Sequence, residues 1–251
     1  MPRGRSHWAL LVRTREALRD TLPAAYDVVR RQRADYFAGG SAPDAMRLFA
    51  GADKLSSHFY DDRRPETWTQ IVPAIRQAHP SVADARRLSE PAQAWMVGYL
   101  THLLTDVAYW RHVVTQLPPF PEHMAAHHGA WMLADQAGGD VQREERAIDR
   151  AAIHFQEAPP WVEEAAVRRF LDRLTDRLLP PDDVWQAELA YFRNRPDLQG
   201  KSDEEILAEY LPEWEAGLAL AVAALPAETW SRFTADAISS AVDAIRAYLQ
   251  P

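Results

Sequence analysis

The segment GYLTHLLTD sets His102 and Asp106 four residues apart. On an α-helix that spacing turns both side chains to one face, about 40° apart around the axis. An imidazole nitrogen and a carboxylate oxygen placed this way can meet one cation. Gly98 lies one turn earlier on the same face and leaves room for a second backbone or a ligand. Tyr99, Leu100, Leu103, Leu104, Val107 and Trp110 surround the pair, so the helix reads as one that crosses a core. Burying a histidine and a carboxylate there is costly unless they are paired or bound to a metal. The competing reading is a satisfied pair, with His102 donating to Asp106.

Further donors lie upstream, in FAGGSAPDAMRLFAGADKLSSHFYD. Pro43-Asp44 offers a carboxylate at an expected helix start, and His58 stands beside an expected loop. Each has an ordinary alternative. An aspartate in a first helical turn favours the helix dipole, and His58 could be a surface residue. The chain has no cysteine, so any metal must be held by nitrogen and oxygen, and thiol nucleophiles are excluded.

Together, Pro43-Asp44, His58-Phe59 and the spacing Gly98/His102/Asp106 resemble the zinc-dependent phospholipase C family, which shares its fold and site design with the S1/P1 nucleases. The resemblance covers about residues 5–112. It implies that Asp44, His58, His102 and Asp106 are zinc ligands, that Asp106 bridges toward a second ion also held by His7, and that Asp44 helps activate the attacking water. His112 falls where the family has another zinc histidine, although helical geometry turns it roughly 120° away from Asp106. The chain departs from the family in lacking any His-x-x-x-Glu pair. His123, His127 and His128 are the available substitutes, or else part of a histidine-bearing surface segment. One or two zinc ions are therefore expected rather than three.

The elements that must position these groups read as helices throughout. Apolar residues recur at helical spacing and no strand-like alternation stands out. An all-α fold is expected, a single multi-helix domain over residues 1–251 of the phospholipase C/P1 nuclease type. Helices are expected at 7–20, 24–37, from Asp44, around Trp68 to Ile75, 90–114, 122–137, 141–155, 161–178, 182–193, 202–225 and 227–249. AGGSAP, residues 38–43, reads as a turn-rich break, and the helices beyond about residue 120 carry no recognised motif.

A net charge of −8 argues against a general nucleic-acid surface, which needs clustered Lys and Arg. No apolar run reaches the length of a membrane span, and the first residues lack a signal-peptide core, so a cytoplasmic location is expected. The expected activity is metal-dependent hydrolysis of a phosphoester or phospholipid, phospholipase C-like, by metal-activated water. Two alternatives are a non-catalytic helical protein that binds metal or a partner, and a metal hydrolase acting on amides or esters.

Overall fold

The computed structural model describes residues 4–119, 123–137, 154–177, 189, 198 and 200–250. Ten α-helices are named here in chain order: α1 (Gly4–Thr21), α2 (Pro23–Arg31), α3 (Arg33–Phe49), α4 (Lys54–His58), α5 (Ile71–Ala78), α6 (Glu90–His112), α7 (Met124–Ala137), α8 (Glu164–Arg177), α9 (Asp203–Ala224) and α10 (Ala227–Leu249). Short 3-10 turns fill the connections around α5 and follow α6. The fold is all-α, and no strand occurs among the described residues.

The helix termini are written locally. Ser89 starts α6 by accepting the Ala92 N–H on its Oγ at 3.2 Å, an N-cap that satisfies one of the free amides of the first turn. Ser202 and Glu205 form a reciprocal capping box at α9, as the spacing S-x-x-E allows. Pro23 occupies the first turn of α2, where its missing N–H costs nothing.

α6 is the axis of the structure. Every residue from Ala94 to Tyr109 is buried, because α6 packs most extensively against α3 and α10, with α1 and α2 also against it. The principal core gathers Trp8, Tyr36, Phe37, Trp95, Tyr99 and Tyr248. A second cluster joins the end of α6 to α7, α9 and α10 through Tyr109, Ala130, Ala221 and Phe233.

The expected break at residues 38–43 is overturned: these residues lie inside α3, and the chain instead breaks at Gln32, whose φ of −106° and ψ of 48° are not helical. The glycines serve closeness rather than turning. A Cβ on Gly39 would lie 2.1 Å from the Trp95 carbonyl oxygen, and one on Gly98 would lie 1.9 Å from the Tyr36 carbonyl oxygen. Backbones of α3 and α6 therefore touch where both helices carry glycine. Pro43 removes one hydrogen bond from α3 without ending it. Asp44 consequently sits late in α3, not at a helix start, and its helix-dipole reading falls. Of the other expected helices, 141–153 and nearly all of 182–193 lie outside the described residues, while Phe155 is buried and not helical.

Candidate metal centre

The α3/α6 contact brings His102 against α3, where its Nδ1 lies 2.8 Å from the Gly40 carbonyl oxygen. A carbonyl can only accept, so Nδ1 carries the proton and Nε2 is left with a bare lone pair. His58, at the end of α4, is fixed by similar logic. The Ser57 hydroxyl donates to the Asp53 carbonyl at 2.7 Å, so His58 Nδ1, 2.8 Å from Ser57 Oγ, must be the donor of that pair. Its Nε2 is bare as well.

Local backbone geometry aims α4. Asp53 caps it by accepting the Ser56 N–H at 2.7 Å, and Phe59 ends it in the left-handed region at φ 60°. A left-handed phenylalanine is strained, and such residues persist only where surroundings hold them. Here its ring lies 5.5 Å from that of His79 and 6.2 Å from that of Tyr99. The Tyr99 hydroxyl also donates to the Ser57 carbonyl. The turn at Phe59 lets His58 and Tyr60 both face α6.

His7 arrives from α1, which is tied to α3 by the Trp8 indole N–H donating to Ser41 Oγ at 3.2 Å and by Tyr36 donating to the Leu11 carbonyl at 2.8 Å. The His7 ring stacks on His102 at 3.8 Å, 6° from parallel. Its Nε2 is 3.3 Å from Asp106 Oδ1. Around Asp106 Oδ2 stand His58 Nε2 at 3.4 Å, His102 Nε2 at 3.8 Å, Lys54 Nζ at 3.2 Å and the Tyr60 hydroxyl at 3.2 Å. Asp44 Oδ1 lies 3.9 Å from His58 Nε2. Four of these five donors are almost completely buried, whereas Asp44 keeps 17% of its side chain exposed.

Two overlapping groups, His7/Asp44/His102 and His58/His102/Asp106, each bring their donor atoms within 4.8 Å of one another. His7 Nδ1 and Nε2, His58 Nε2, His102 Nε2 and Asp106 Oδ1 are buried with no hydrogen-bond partner. Lone pairs facing carboxylates in a dry interior repel one another, and a divalent cation among them removes that cost. The donor set, imidazole and carboxylate only, suits zinc.

Electrostatics keep the site in its metal-ready ionisation. Burial, then neighbouring His7, lowers the His102 pKa to about 3, and burial lowers that of His58. Burial opposes ionisation of Asp106, but Lys54 and the imidazoles outweigh it and hold the carboxyl well below its usual range. In Asp44 burial is likewise outweighed, by His102 and His7, and its pKa is lowered. An unfolded histidine titrates near 6.5, so metal-free protein forfeits stability as pH falls from about 6.5 toward 3, where unfolded His58 and His102 take up protons that they refuse when folded. Thermal melting of the metal-free protein is expected to drop by several degrees between pH 7 and 5.

His112 is not brought to this group. Its Nε2 lies 2.9 Å from Asp236 Oδ2 on α10, and Asp236 also accepts from Arg111 at 2.6 Å and Ser240 at 2.9 Å. This cluster pins α6 to α10. His112→Ala is therefore expected to leave zinc content unchanged and to cost on the order of 1 kcal/mol of stability, read by metal analysis and urea denaturation. On α7, His127 places Nε2 2.9 Å from the Pro118 carbonyl and the His128 ring lies 6.2 Å from Trp214, while His123 is exposed. None of these three joins either donor group. Lys54, Tyr60, Ser57 and the Gly40 carbonyl were not anticipated. A sequence signal existed only for Lys54, one of two lysines in the chain.

A helical scaffold that buries histidine and aspartate donors around one point, with a single carboxylate partly open to solvent, defines a class: all-α proteins with an internal divalent-metal site. The sequence profile of the zinc-dependent phospholipase C family matches residues 6–176, about two thirds of the chain, and the protein belongs to that family. All five donor residues fall within the matched stretch. No curated protein and no solved structure matches the chain.

Proposed function

We propose that this protein is a metal-dependent hydrolase that cleaves the phosphodiester of a phospholipid or related small phosphoester, with His7, Asp44, His58, His102 and Asp106 as zinc ligands. The observation that carries the reading is the pair of bare Nε2 atoms on His58 and His102, each locked by a hydrogen bond on the opposite ring nitrogen and facing the Asp106 carboxylate. Membership of a zinc-dependent phospholipase C family supports the substrate class.

Zinc held by these residues would supply Lewis-acid polarisation of a phosphoryl oxygen and a water whose pKa is brought near neutrality. Asp44, the donor that meets solvent, orients the attacking water and accepts its proton. Attack on phosphorus would then break the bond to the alcohol oxygen on the far side, that oxygen taking a proton from solvent as Asp44 releases its own, to give a phosphomonoester and an alcohol. Burial of the other four donors keeps bulk water away from the charge that develops. A net charge of −8 disfavours nucleic acid as the partner. Among the described residues no helix is long and apolar enough to cross a membrane, and a cytoplasmic setting is part of this proposal.

The test is hydrolysis of bis-p-nitrophenyl phosphate and of a phosphatidylcholine analogue before and after chelation. Activity lost with a chelator and restored by zinc is the expected result. Tight zinc retention with no phosphoester turnover would instead favour a non-catalytic metal-binding protein, a reading that the engagement of His112 by Asp236 supports.

A further inference from the structure

Only two of the 28 basic side chains in this chain are lysines, Lys54 and Lys201. Lys54 opens α4 and extends to the metal centre, where Nζ lies 3.2 Å from Asp106 Oδ2, 3.3 Å from Asp62 Oδ1 and 4.6 Å from the centre of the Tyr60 ring. Its side chain is only 16% exposed. An ammonium is a compact point charge with three donors, whereas a guanidinium is a wide planar fork. The narrow space between two carboxylates and an aromatic face suits the former. Lys201, by contrast, pairs with Glu209 on the surface.

Charge counting points to what this ammonium does. Asp44, Asp62 and Asp106 bring three negative charges, Lys54 brings one positive charge, and imidazoles acting as ligands are neutral. A single divalent ion closes that balance, and a second would leave two uncompensated positive charges in a mostly buried site. We infer that Lys54 is the resident second cation of this site: its ammonium, seated between Asp106 and Asp62, takes the carboxylate edge that another metal ion would use and holds the protein to one zinc per chain.

This inference rests on the zinc reading of the His/Asp group, and its test separates the two. The full-length chain is saturated with zinc, freed of excess and counted by native mass spectrometry with elemental analysis. Wild type is expected to hold one zinc, and Lys54→Met, which leaves Asp106 and Asp62 without their ammonium, to hold two. Amine acylation, read at Lys54 with Lys201 as the internal control, is expected to find Lys54 protected in both metal-free and zinc-loaded wild type. Two ions in wild type, one in Lys54→Met, or a Lys54 that becomes as reactive as Lys201 on zinc loading would overturn the role of Lys54 and leave the zinc site standing. No zinc in any form would overturn both. If Lys54→Met fails to fold, the wild-type count and the acylation pattern decide.

Discussion

Asp106→Asn is expected to yield a folded protein that keeps less than about a tenth of its zinc and hydrolyses phosphodiesters about a thousandfold more slowly, the loss that follows when several kcal/mol of Lewis-acid stabilisation disappear. Asparagine preserves the volume of the side chain, so the fully buried position on α6 remains filled. What disappears is the negative charge around which His7, His58, His102 and Lys54 are arranged. Lys54 retains Asp62 as a partner and some access to water, which is why folding survives. Elemental analysis and hydrolysis of a chromogenic phosphodiester read the two effects separately. A variant with full zinc content would take Asp106 out of the ligand set.

Gly98→Ala is expected to cost roughly 3 kcal/mol or more of stability, a melting temperature lower by roughly 6–12 °C, and about tenfold in zinc affinity. In an isolated helix the same change would gain about 1 kcal/mol, because alanine is the better helix former. Here the added methyl would lie 1.9 Å from the Tyr36 carbonyl oxygen and 2.9 Å from the Gly40 nitrogen. These atoms are backbone and cannot rotate aside, so α3 and α6 must separate by more than an ångström. Separation lengthens the bond between His102 and the Gly40 carbonyl that orients the imidazole. Calorimetry and zinc titration check the prediction, and an unchanged melting temperature would mean that the helices are not in the contact described.

His102 and Asp106 are legible as an i, i+4 pair on one helix, whereas a carboxylate after proline and a histidine beside a loop are weak marks, and it is the family resemblance that joins Asp44 and His58 to that pair. His7 was reachable only through the family resemblance, since a histidine on an apolar helix face has no spacing that marks it. The misreading of AGGSAP has a physical cause. Two glycines followed by a proline describe a turn and a close helix crossing equally well, and only the matching Gly98 on α6, distant in sequence, distinguishes them. Nothing local ties Lys54 to the site, because its partners, Asp62 and Asp106, come from different segments. A backbone carbonyl such as that of Gly40 leaves no trace in the residue types at all. His112 followed the family's spacing, but the chain carries Asp236 on α10, and the closer partner takes it.

The bonds that aim His58 and His102 are made entirely by protein, through Ser57 and the Gly40 carbonyl. Each imidazole is thereby locked in one tautomer and one ring orientation, so exchanging either residue for another donor would mean rebuilding its outer hydrogen bond as well as the nitrogen it presents.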